Sequence, residues 1–334
     1  MVLSFPFSLG FGLLLVFGSL MSLSSYHWLG IWLGLEINLM GFIPLLVQGG
    51  ASQSVESGIK YFVIQALGSG FFLVGGFSLG DFSIFWGSGL FGVSLSVFML
   101  FGLLLKLGVA PFHWWVPSVM GGVSWMGCAL LATWQKLAPF FVLASFFTVF
   151  GSLIFFFACL SAVVGGVGGI GQVQLRLLMA YSSIGHLGWM VGVLGCSVAA
   201  GVFYFSLYFL MSGVLFYFLG CGGFWRVNQI GIFFGAFVMI GFLSLGGLPP
   251  LSGFVPKWVS LQMVVSSGFF FVASFLILGS LLSLYYYLSV LFVLFVNDGL
   301  FYSTKSFFSF FLVSLGLCVF CLGFPFYEVI YYVF

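Results

Sequence analysis

Four ionisable side chains lie inside stretches that are otherwise apolar: Glu36 in WLGLEINLMGF, Lys106 in LLLKLG, Lys136 in ATWQKLAP and Lys257 in FVPKW. A charge at the centre of a membrane helix costs about 2.5–3.5 kcal/mol on insertion scales, so such groups face the protein interior, pair with each other or contact water. A lysine beside a carboxylate holds its proton while the pair is closed and releases it as the pair separates, because burial and a neighbouring charge both move its proton affinity. That is the chemistry of a proton relay. His186, in AYSSIGHLGWM, adds a group that titrates near neutral pH. It reads equally well as a relay member or as a hydrogen-bonded core residue. Lys106 also admits a plainer reading, since a lysine near a span end extends to the headgroups, and the position of the helix break decides its depth.

The elements that hold these residues are set by composition. Of 334 residues, 63% are hydrophobic and 4% charged, against about 25% charged in soluble domains. The apolar runs are continuous over about 20 residues, which is helical rather than β-barrel patterning. The chain is therefore expected to be an all-α polytopic membrane protein. About eleven spans can be drawn, over 3–24, 28–48, 57–79, 85–120, 122–147, 149–170, 174–196, 199–221, 230–263, 268–296 and 308–334. The fourth and ninth are too long for one straight crossing and contain Pro111 and Pro117, and Pro249, Pro250 and Pro256. Both are expected to be helices broken within the membrane, as in ion-coupled transport. No leader peptide is expected, because residues 3–24 are long enough to span and no cation precedes them.

Charge gives orientation. Lys60, Arg176, Arg226 and Lys305 fall in or near loops of one parity, and Asp81 lies in the opposite set. The cationic loops should face the cytoplasm or a mitochondrial matrix, with the N-terminus inside and the C-terminus outside. The net charge of +2 is too weak for nucleic acid. Lys60 is expected to extend to the headgroups, His27 to sit in a short interfacial loop, and His113 to satisfy backbone groups freed by the fourth-span break. The cysteines, Cys318 and Cys321 among them, read as small core residues rather than metal or redox ligands. The GGVGGIG run at 165–171 lacks the Lys-Ser or Lys-Thr of a phosphate loop and reads as the flexible end of the sixth helix. Forty-nine Phe and 48 Gly residues fit a T- and G-rich gene, which points to an organelle-encoded protein.

KLGVAPFHWWVP at 106–117, followed by LLATWQKLAP at 130–139, resembles the chain 2 branch of the antiporter-like subunits of mitochondrial NADH:ubiquinone oxidoreductase, respiratory complex I. GLEINLMGFIP, AYSSIGHLGWM and LSLGGLPPLSGFVPKW agree with it in the same order. The resemblance implies an antiporter-like inverted repeat with a truncated N-terminal unit, approximate units 1–147 and 148–296, and a C-terminal helix 308–334. It implies that Glu36 pairs with Lys106, that Lys136 is the central connecting lysine and Lys257 the terminal one, and that His186 lies on a hydrated axis between those two. It further implies a proton-translocating subunit with no cofactor of its own, NADH, FMN, iron–sulfur clusters and ubiquinone being handled by other subunits. Its partners would be other membrane-arm subunits and lipids of the mitochondrial inner membrane. Ser118 departs from the acidic residue common after WVP in that family, and Glu328 has no assigned role. A stand-alone cation/proton antiporter and a structural scaffold are the competing readings.

Overall fold

In hydrocarbon every backbone N–H and C=O must be satisfied within the chain, and long apolar runs achieve this as helices. The computed structural model describes residues 8–79, 90–230 and 232–296, together with Gly316 and Phe320. Among these residues there are twelve α-helices: α1 (Ser8–Ser24), α2 (Trp28–Val47), α3 (Ser52–Leu79), α4 (Leu90–Leu107), α5 (Trp115–Gly122), α6 (Trp125–Ala132), α7 (Trp134–Gly169), α8 (Leu175–Leu194), α9 (Val198–Gly222), α10 (Ile232–Gly246), α11 (Phe254–Ser266) and α12 (Phe270–Val296). Seven apolar segments among the described residues are long enough to cross a membrane, so the chain is a multi-pass membrane protein. The expected span 308–334, apart from Gly316 and Phe320, lies outside the described residues, as do Asp81, Lys305, Cys318, Cys321 and Glu328.

The chain divides into two compact units, Met1–Gly151 and Ser152–Phe334. Within each, helices close on one another through small residues, as membrane helices do when packing rather than the hydrophobic effect drives association. In the first unit, a Cβ on Gly41 of α2 would stand 2.8 Å from the backbone nitrogen of Leu15 in α1. In the second, a Cβ on Gly188 of α8 would stand 2.7 Å from the backbone nitrogen of Ala162 in α7.

Both expected breaks are present and are built alike. Gly108 follows α4 at φ +76°, and its N–H and that of Val109 donate to the Leu104 carbonyl at 3.0 and 3.1 Å. Gly247 follows α10 at φ +82°, and its N–H and that of Leu248 donate to the Leu243 carbonyl at 3.1 and 3.4 Å. This is the left-handed helix stop that glycine permits without a Cβ penalty. Residue 247 minus residue 108 gives an offset of 139, and the same offset aligns Pro111 with Pro250 and Pro117 with Pro256. Pro117 and Pro256 each take the third position of the helix that resumes, α5 and α11, where a missing N–H costs no intrahelical bond. The offset also aligns Ser118 with Lys257 and Lys106 with Leu245. The two units thus place their lysine on opposite sides of the same kind of break.

Two boundaries differ from the sequence expectation. The span 122–147 is not one intact helix but is interrupted at Thr133, three residues before Lys136. The Thr133 N–H and Oγ1 both donate to the Ala129 carbonyl, at 3.0 and 2.6 Å, and close off α6. Pro139 then removes the N–H that would have bonded the Gln135 carbonyl. Conversely, α7 runs through the loop expected near 148. Gly151 is the one helix-weakening residue there, and a single glycine costs only about 1 kcal/mol in a helix.

Candidate functional site

In the first unit the lysine belongs to the last turn of α4 and its partner to α2. Lys106 Nζ lies 3.8 Å from Glu36 Oε1, with the lysine side chain 3% exposed and the glutamate 22%. The lysine does not extend to a headgroup region; it is enclosed by protein. The separation is ion-pair range but longer than the 2.7–2.9 Å of a charge-assisted hydrogen bond, and Glu36 Oε1 has no hydrogen-bond partner among the described residues. The pair is near but not closed, so a small movement changes its strength.

Amide side chains tie together the elements that carry this pair. Gln65 Nε2 donates to the Lys106 carbonyl at 3.3 Å and Trp115 Nε1 to the Leu105 carbonyl at 3.1 Å. These two side chains satisfy carbonyls that the broken helix leaves open. Tyr61 donates to Gln135 Oε1 at 3.2 Å, and Gln135 Nε2 to Asn38 Oδ1 at 3.0 Å. Asn38 is two residues from Glu36 and Gln135 adjoins Lys136, so the network joins the glutamate helix to the lysine helix. Lys136 itself is 3% exposed, in the first turn of α7. Sequence reasoning passed over Asn38, Tyr61, Gln65 and Gln135. The available signal was three amides in apolar spans, since a buried amide must find partners.

In the second unit Lys257 lies in the first turn of α11 and reaches back across the break. Its Nζ donates to the carbonyls of Leu245 and Gly246, the end of α10, at 3.0 and 2.8 Å. A cation at a helix C-terminus meets both open carbonyls and the negative end of the dipole. In the first unit Gln65 serves the Lys106 carbonyl, the counterpart of Leu245, and Trp115 serves the carbonyl just before it. Gly247 is needed here twice over, for its positive φ and because an added Cβ would stand 2.8 Å from Lys257 Cδ. Gly247→Ala is expected to destabilise the unit by about 1–2 kcal/mol from the left-handed backbone alone. It should lower thermal stability in detergent more than Gly213→Ala, where an added Cβ meets open space.

His186 lies midway along α8 and Lys257 shares a cavity with it. That cavity measures about 10 Å³ and is lined by His186, Lys257, Ser182, Ser280, Ser283 and Tyr286, among others. Its walls mix these polar groups with a larger apolar surface, and its space is about the least that admits one water molecule. Glu36 and Lys106 are therefore brought together in one unit, and His186 and Lys257 in the other.

The remaining expectations resolve locally. His113 Nδ1 lies 3.2 Å from the Pro111 carbonyl, inside the break. His27 caps α2, its Nδ1 accepting from the Leu29 N–H at 3.4 Å. Lys60 is exposed and pairs at 2.6 Å with Glu56, a residue the sequence reading had not used. Arg176 lies 4.0 Å from the Trp225 ring, and Gln174 bridges to Arg226, so the two cationic loops of the second unit meet on one face. The glycine run at 165–171 ends α7. It is helical through Gly169 and admits the Tyr286 ring, to which a Cβ on Gly169 would stand 2.5 Å away.

Residues 25–283 match the family described as NADH:quinone oxidoreductase/Mrp antiporter, TM. The chain belongs to that family. Among its relatives, NADH-ubiquinone oxidoreductase chain 2 of Branchiostoma lanceolatum is 40% identical over 300 residues, 86% of each chain. The protein of the same name from Locusta migratoria is 35% identical over 284 residues, 83% of this chain and 82% of the relative. A chain of respiratory complex I from Thermus thermophilus superposes with a TM-score of 0.81 at 27% identity, covering 94% of this chain and 77% of that one. A chain of the Mrp complex from Dietzia sp. shares the fold at 18% identity, with a TM-score of 0.76 over 84% of this chain and 59% of its own. The antiporter-like membrane fold that the resemblance implied is thus the fold of the family.

Proposed function

We propose that this chain is the proton-translocating, antiporter-like membrane-arm subunit of an NADH:ubiquinone oxidoreductase, with Glu36, Lys106, Lys136, His186 and Lys257 as its relay. The observation that carries the reading is the Glu36–Lys106 pair, a half-buried acid and a buried base 3.8 Å apart beside a broken helix. Closing the pair stabilises the ammonium form of Lys106; opening it releases a proton to the amide-lined path toward Lys136. In the second unit a proton passes between His186 and Lys257 through the one-water cavity. Lys257 holds it against the carbonyls of Leu245 and Gly246. NADH oxidation, with its flavin and iron–sulfur clusters, and quinone reduction belong to other subunits. Other membrane-arm subunits and lipids of the mitochondrial inner membrane cover the apolar exterior, with the N-terminus in the matrix and the C-terminus in the intermembrane space.

The test is Lys136→Ala in the assembled complex. Proton pumping per NADH oxidised is expected to fall about a hundredfold, the low side of what a proton-transfer group contributes. Pumping at the unsubstituted level in an assembled complex overturns the relay. A stand-alone cation/proton antiporter is the second reading, since Mrp chains share the fold. Metal cations prefer several carboxylate oxygens, and Glu36 is the one carboxylate in the buried site among the described residues. Isolation without redox subunits would favour the antiporter.

A further inference from the structure

His186 has two ring nitrogens, and its Nδ1 is committed. It lies 2.9 Å from the Tyr204 hydroxyl, with the histidine 6% and the tyrosine 1% exposed. Tyr204 stands on α9, and Tyr208, one turn further, sets its ring 5.1 Å from the same imidazole. A histidine carries protons only in a tautomer and rotation that leave the correct nitrogen available, and the bond made by the other nitrogen sets both. A carboxylate often makes that bond, yet residues 152–296 contain no Asp or Glu. Among the described residues the titratable groups around His186 and its cavity include Tyr204 and Tyr208 from α9, Lys257 from α11, and Tyr286 and Tyr287 from α12. Packing needs only the ring at position 204, because a buried hydroxyl must also be given a partner.

We propose that Tyr204 is a positioning residue for the relay: its hydroxyl engages Nδ1 and fixes the imidazole beside the cavity that Lys257 shares. The inference rests on the reading of His186 as a relay member. The experiment is Tyr204→Phe in the assembled complex, reconstituted in liposomes, with pumping per NADH oxidised measured across pH 6 to 8.5. Phenylalanine keeps the ring and removes one hydrogen bond. Assembly is expected to hold, pumping to fall about fivefold, the worth of one such bond, and the pH profile to move. His186→Gln should also lower pumping, and adding Tyr204→Phe to it should lower it no further. Tyr204→His, which keeps a ring and a polar nitrogen, should pump better than Tyr204→Phe, whereas a packing role alone ranks phenylalanine higher. Unchanged pumping in His186→Gln removes His186 from the relay. Reduced pumping in His186→Gln, with an unchanged rate and pH profile in Tyr204→Phe, overturns the positioning role alone.

Discussion

Lys257→Met is expected to abolish proton pumping and to weaken the second broken helix together. The ammonium is the donor to two buried carbonyls at 2.8 and 3.0 Å, and each carbonyl left without a donor costs about 1–3 kcal/mol. The assembled amount on native gels should therefore fall along with transport. Lys257→Arg separates the two roles. A guanidinium supplies more donors than an ammonium but keeps its proton at any pH a protein survives. Arginine should recover the assembled amount while pumping stays about a hundredfold down. Arginine that pumps like lysine would show that Lys257 is a helix cap and nothing more.

That double role could not be read from the sequence, although the residue could. Glu36, Lys106, Lys136 and Lys257 stand out because charge is rare and costly in an apolar chain, and the breaks stand out because proline and glycine interrupt the helical hydrogen-bond ladder. Both signals are local. What a buried lysine touches is not local. Lys257 meets carbonyls 11 and 12 residues earlier, and Gln135 meets Asn38 across 97 residues. The interruption at Thr133 was missed because threonine breaks a helix only when its hydroxyl turns back on the preceding turn. Tyr204 was missed for a different reason. Among so many aromatics its hydroxyl carries no sequence signal, and only the histidine 18 residues away gives it a purpose. The repeat became legible once Gly108 and Gly247 were seen to share the same stop, since the 139-residue offset then follows from the sequence alone. It also places Ser118 at the position of Lys257, and in the first unit Gln65 bonds the Lys106 carbonyl, the counterpart of the Leu245 carbonyl that Lys257 bonds.

The first unit yields the second large effect through Glu36→Gln. Glutamine keeps the shape of the side chain and removes the charge that faces Lys106. Breaking a buried pair by neutralising one partner costs about 3–5 kcal/mol when both are enclosed. Here the glutamate is 22% exposed and the contact is 3.8 Å, so the lower end, about 3 kcal/mol, is expected. Pumping should be lost, and thermal stability of the assembled complex should fall. Adding Lys106→Met removes the stranded cation. If the two residues act as a pair, the double variant should regain much of the lost stability without regaining transport, a non-additive result that independent sites do not give. A relay requires both halves of that outcome: stability returns because the unpaired charge is gone, and pumping does not because the proton carrier is gone with it. Should Glu36→Gln assemble and pump normally, the pair has no part in transport and the scaffold reading gains its strongest support.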